Sequence, residues 1–115
     1  MTVKIKEDLT GICRIINETV DAEKIYLFGS HAYGTPNTDS DYDLCVVIKD
    51  GTLRPVDAIK KIRKALFMIQ ETPLDVVVYR SSSFFQRQLE ASLERKIVRE
   101  GVLLHERNHM EQRMA

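Results

Sequence analysis

Apolar residues recur near the start of the chain at Ile5, Leu9, Ile12, Ile16 and Val20. Spacings of three and four put them on one face of a helix, and the pattern predicts one over about residues 5–20. The period then changes. Lys24-Ile25-Tyr26-Leu27-Phe28 is a β-branched and aromatic run that stops at Gly29, which reads as a short buried strand. Turn chemistry follows in Gly34, Thr35, Pro36, Asn37 and Thr38, and a second strand is predicted over about Tyr42 to Ile48, ending at Asp50-Gly51. Pro55 suits a helix first turn, with Val56, Ile59, Ile62, Leu66 and Ile69 as the buried stripe. Leu74 to Tyr79 reads as a third strand after Pro73. Ser83 and Gln86 are spaced as a capping box for a helix to about Arg99, with Phe85, Leu89, Leu93 and Ile97 as its apolar face. Gly101 suits the end of that helix, and Val102-Leu103-Leu104 offers an edge strand.

The order α-β-β-α-β-α with a final strand predicts an α/β (α+β) fold, a small mixed sheet flanked by helices. At 115 residues there is room for one domain. We expect it over residues 1–107, with 108–115 as a disordered tail. The polar start carries no secretory signal and no apolar run reaches membrane-spanning length, so a cytoplasmic protein without a membrane partner is expected. Cys13 and Cys45 sit among apolar neighbours and read as reduced core residues.

Charge changes the picture twice. Lys plus Arg and Asp plus Glu are 17 each, which argues against a sequence-independent nucleic-acid binder and against nucleic acid as the direct substrate. The balance hides an asymmetry: residues 1–57 carry 6 basic and 10 acidic side chains, whereas residues 58–115 carry 11 and 7. Lys60, Lys61, Arg63 and Lys64 read as the solvated face of their helix.

The acidic excess includes a cluster with chemistry. Asp41 and Asp43 lie at i and i+2 where a strand begins, so both point to one face. Like charges that close repel unless a cation lies between them. Oxygen ligands suit Mg²⁺ or Mn²⁺, which take the rest of their shell from water and substrate phosphates. Asp75 interrupts the apolar run Leu74-Asp75-Val76-Val77-Val78, where aspartate is disfavoured. If the third strand lies beside the second, Asp75 joins the pair. Gly29-Ser30 follows a strand directly, and its open backbone with the Ser30 hydroxyl suits phosphate.

Three similar strings fail on context. Gly29 to Gly34 starts like a phosphate-binding P-loop, but Thr35-Pro36 replaces the required Lys-Ser/Thr. Asp39, Asp41 and Asp43 begin like a calcium loop, but Leu44 stands where the glycine belongs. His105-Glu106-Arg107-Asn108-His109 spells a zinc-protease signature after a strand-like run rather than on a helix.

Gly29-Ser30-His31-Ala32-Tyr33-Gly34, then Ser40-Asp41-Tyr42-Asp43-Leu44, then Asp75 in a later strand resembles the minimal nucleotidyltransferases of the DNA polymerase β superfamily. The likeness covers about residues 22–80 in motif and most of the chain in element order. One departure is visible: Tyr33 stands where many members carry a basic residue. The resemblance implies a polymerase β-type nucleotidyltransferase core and an enzyme that transfers a nucleotide, AMP from ATP, to a hydroxyl. Asp41, Asp43 and Asp75 are its expected catalytic and metal-holding residues. Gly29, Ser30 and Ser40 are its expected nucleotide-binding residues, with His31 and Tyr33 open between nucleotide contact and loop packing. It further implies a separate HEPN-like helical partner, in a homo- or hetero-oligomer, whose tyrosine is the acceptor in a toxin–antitoxin pair. The alternatives are a non-catalytic antitoxin that masks its partner sterically, and a small-molecule nucleotidyltransferase.

Overall fold

A computed structural model describes residues 3–34, 41–67, 69 and 73–107. Ser40 and the tail 108–115, including His109, lie outside the described residues. The elements run α1 (Val3–Val20), β1 (Ala22–Phe28), α2 (Ser30–Tyr33), β2 (Tyr42–Ile48), α3 (Pro55–Leu66), β3 (Leu74–Arg80), α4 (Ser81–Gln88), α5 (Leu93–Glu100) and β4 (Val102–Glu106). The sheet order is β3-β2-β1-β4, with β1 antiparallel to both β2 and β4 and β2 parallel to β3. This is the mixed sheet expected.

Strand alternation divides the core into two layers. Ile25, Leu27, Leu44, Val46, Ile48, Val76 and Val78 cluster with Leu9, Ile12, Ile16 and Val20 of α1 and Ala58, Ile62 and Leu66 of α3. The helical stripe of α1 is therefore buried as its spacing predicts. Tyr26, Cys45 and Val47 face the other way, against Phe84 of α4 and Ile97 of α5. No described helix is long and apolar enough to cross a membrane.

Four local expectations are corrected. The α3 helix ends at Leu66, and Val56 and Ile69 are exposed rather than buried. The helix expected from Ser83 to Arg99 is two helices. Ser92 is extended at the break; its hydroxyl donates to the Arg87 carbonyl at 2.7 Å and accepts the Arg95 N–H at 3.3 Å, capping α5. Of the predicted face only Ile97 is buried, while Phe85, Leu89 and Leu93 are exposed and Phe84 takes the core position. No Ser83 capping box forms. The Asp50 carboxylate instead accepts the Ser82 N–H at 3.0 Å, so the turn after β2 caps α4 from outside. Gly101 does follow α5, but with φ −73° it is no left-handed cap. A Cβ there would lie 2.5 Å from the Ile97 carbonyl oxygen and 2.9 Å from that of Leu27, so glycine permits the close crossing of α5 onto β1.

The α4–α5 pair is held by one buried charge. Glu94 is 2% exposed and its Oε1 lies 2.9 Å from Arg87 Nε. Burial opposes its ionisation, but hydrogen bonds from Tyr79, its own backbone N–H and Arg87 dominate together and hold its carboxyl at about 2. Because this is below the ordinary 4.5, the stabilisation is complete above that value and fades as pH falls from 4.5 towards 2. Glu94→Gln should lose about 1–3 kcal/mol at neutral pH by urea denaturation. Its stability should also fall less than that of the wild type between pH 5 and pH 3.

Candidate active site

Strand register builds the site. Phe28 at the end of β1 pairs with Asp43 of β2, and Asp43 pairs with Asp75 in the parallel β2–β3 ladder. Paired residues share a face, so Asp75 does stand beside Asp43. Tyr42 is buried on the α1 side, which turns its neighbour Asp43 to the opposite side. Asp41 immediately precedes β2 and is partly buried; Asp75 is exposed. Burial raises the Asp43 carboxyl above the ordinary carboxylate range, the charges of Asp75 and Asp41 raise it further, and His31 opposes the shift.

Gly29 follows β1 with φ 75° and ψ −159°, a region essentially restricted to glycine. A Cβ at that position would fall 2.1 Å from Asp43 Oδ2. The main chain thus passes directly beside the carboxylate, a reason for glycine that is specific to this site. The N–H groups of Ala32 and Tyr33 both donate to the Gly29 carbonyl at 3.0 Å, closing the single turn of α2 with Ser30 at its start. The His31 ring packs against Tyr42 at 4.7 Å between centroids, so loop packing accounts for part of its role.

Among the described residues, no three His, Cys, Asp or Glu side chains converge into a ready-made metal cage. The donor set nevertheless fits a hard divalent cation. Burial and then the charges of Asp75 and Asp41 raise the Asp43 carboxyl, a cost that a bound cation would offset, and the side-chain-free Gly29 leaves space at Asp43 Oδ2. Mg²⁺ is characteristically bound by one or two carboxylates with water and phosphate oxygens completing the shell.

The polymerase beta nucleotidyltransferase family matches residues 11–110 of the chain. The chain belongs to this family. No curated protein matches it significantly. Solved structures similar to this family member agree in fold. A candidate nucleotidyltransferase from Sulfolobus solfataricus gives a TM-score of 0.64 at 20% identity over 91% of this chain and 83% of that one. A mutant MntA–HpeT toxin–antitoxin gives 0.61 at 23% identity over 92% and 79%. A toxin–antitoxin solved with AMP-PNP gives 0.55 at 24% identity over 96% and 80%.

The zinc-protease string is absorbed by the same fold. His105 and Glu106 lie in β4, not on a helix, and His105 Nε2 sits 3.2 Å from the Ala22 carbonyl oxygen. One feature of this family member has no signal in the sequence: Lys96 of α5 places its ammonium 4.9 Å from the Tyr33 ring centroid. A lysine on an amphipathic helix otherwise reads as solvated surface.

Two substitutions test the geometry. Gly29→Ala should cost about 1–3 kcal/mol by thermal or urea denaturation, because its backbone region excludes a side chain and the Cβ displaces Asp43. Asp43→Asn should instead raise the melting temperature of the metal-free protein at neutral pH, since it removes a partly desolvated charge beside two others. A lower melting temperature would contradict the repulsion described.

Proposed function

We propose that this chain transfers an NMP group, AMP from ATP, to a hydroxyl on a separate HEPN-like helical protein, a tyrosine as the acceptor. The observation that carries the reading is the Gly29 turn running against Asp43, which is itself paired in register with Asp75. Family membership supports nucleotidyl transfer, and similarity to toxin–antitoxin structures, one solved with AMP-PNP, supports the partner and the nucleotide.

In this mechanism the Gly29–Ser30 turn binds the β and γ phosphates, with Ser40 as a further nucleotide contact. Asp41, Asp43 and Asp75 would hold Mg²⁺ or Mn²⁺, which would neutralise charge on the phosphates. An Asp75 carboxylate oxygen takes the proton of the acceptor hydroxyl. The acceptor oxygen forms a bond to the α phosphorus as the bond to the β-phosphate oxygen breaks, and pyrophosphate leaves. Positioning and electrostatics carry the rate, since the chain offers no covalent intermediate. The buried Cys45 and half-buried Cys13 are not nucleophiles, because burial pushes their thiols up to about 12 and about 11. Unpaired cysteines of this kind suit a reducing cytoplasm.

One observation favours a second reading, neutralisation by covering the partner without chemistry. Phe85 and Leu89 are each 61% exposed and Leu93 is 47% exposed, apolar surface that a helical partner would bury. The Asp41→Asn, Asp43→Asn double variant separates the two. With ATP, Mg²⁺ and the partner, the wild type should add AMP-sized mass increments to the partner by intact mass spectrometry. The double variant should bind the partner but leave its mass unchanged and its toxicity intact. Neutralisation by the double variant equal to that of the wild type would favour covering alone.

A further inference from the structure

The site described so far is short of positive charge. Asp41, Asp43 and Asp75 share one face, and a triphosphate brings further negative charge to them. The turn that receives it, Gly29 to Gly34, contains no lysine or arginine. Yet a cation is delivered to that turn from the far end of the chain. Lys96 Nζ stands 4.9 Å from the centroid of the Tyr33 ring. Tyr33 donates its own N–H to the Gly29 carbonyl at 3.0 Å, so its ring is carried by the same turn as Ser30. Tyr33, Lys96 and Glu100 line a recess of about 480 Å³, and Lys96 also borders a second recess of about 410 Å³ that adds Arg95 and Arg99.

We propose that Lys96 is a nucleotide-binding residue that reaches from α5 to the terminal phosphates, with the Tyr33 ring holding its ammonium beside the Gly29–Ser30 turn. The inference rests on the nucleotidyltransferase reading and names a residue outside the motif that suggested it. Three features suit Lys96 to the task. Its helix is fixed, because Ile97 is fully buried and Gly101 lets the backbone approach Leu27. Its stem is flexible, and a lysine is a compact point charge that suits phosphate. Its ionic partner among the described residues is weakly held: Glu100 lies 3.9 Å away, with both side chains more than half exposed. Exposed pairs of that kind contribute little, so phosphate competes with Glu100 on favourable terms. The aromatic face attracts the ammonium without consuming its hydrogen bonds, leaving its donors for the ligand.

The experiment is calorimetric titration of the full chain with ATP and with AMP, each with Mg²⁺, in wild type, Lys96→Met, Lys96→Arg and Glu100→Gln. Lys96→Met should weaken ATP binding about tenfold, the range of one charge-assisted contact, and change AMP binding by less than about twofold. Lys96→Arg should recover most of the ATP affinity, and Glu100→Gln should tighten it. Melting curves check the fold, and the exposed position of Lys96 makes an unfolded variant unexpected. ATP binding by the wild type that Lys96→Met leaves unchanged overturns the inference alone. A wild type that binds no ATP overturns the nucleotidyltransferase reading and the inference with it. Equal weakening of ATP and AMP would place Lys96 away from the terminal phosphates and also overturn it.

Discussion

The pairing of Asp43 with Asp75 across a parallel ladder is the constraint on which the site depends. Register partners share a face, so two strands separated by a whole helix deliver two carboxylates side by side. A one-residue slip would turn Asp75 into the apolar layer and bring Val76 to the site. The apolar layer under α1 and α3 forbids that slip, because Val76 and Val78 are buried there with Leu44, Val46 and Ile48. The geometry of the acidic face is therefore set by packing on the opposite face. This matters because the carboxylates themselves oppose the arrangement: burial and mutual repulsion raise Asp43. Hydrophobic burial in the other layer, at roughly 1.5–3 kcal/mol per large side chain, outweighs such a cost several times over.

Gly29 ties β1 into the same constraint. Phe28 is the register partner of Asp43, so the chain leaving β1 must pass the carboxylate at once. Any Cβ there meets Asp43 Oδ2, and the backbone conformation itself excludes other residues. A glycine, a close approach and a charged pair are thus consequences of one hydrogen-bonded alignment.

How far the sequence exposed this depends on which residues broke their local pattern. Asp43 and Asp75 were legible because aspartate inside an apolar strand contradicts propensity and invites a reason. The strands were legible for the same reason, since β-branched runs and turn residues agreed with the final topology. The α4–α5 region was not. Phe85, Leu89, Leu93 and Ile97 are spaced by fours, and on an α-helix each such step drifts about 40° around the axis. Over three steps the predicted face turns by a third of a circle, so it was never one stripe. Phe84 and Ile97 bury instead, and the Ser92 cap allows the two short helices to take different angles on the sheet. Glu94 hid for a different reason. Glutamate is ordinary on helix surfaces, and only Tyr79, distant in sequence, reveals that this one is inside.

That break in the helix has a consequence for the site. A single helix from Ser83 to Arg99 would hold both ends at one angle and could not both cap on Asp50 and cross tightly over Leu27. With the break, α4 is pinned by Asp50 at one end, and α5 is free to lay Gly101 against the end of β1. The ionised Glu94 secures the corner from within, with Arg87 and Tyr79 as its partners. Its buried charge contributes little net stability beyond an apolar substitute. Its directional bonds do fix the rotation of α5, however, and that rotation puts Ile97 into the core and Lys96, its neighbour in sequence, over Tyr33. A charge inside the second layer thereby decides which charge stands at the edge of the first turn after β1. The acidic half of the chain supplies Asp41 and Asp43, the basic half supplies Asp75 and the cation, and the fold brings the two together.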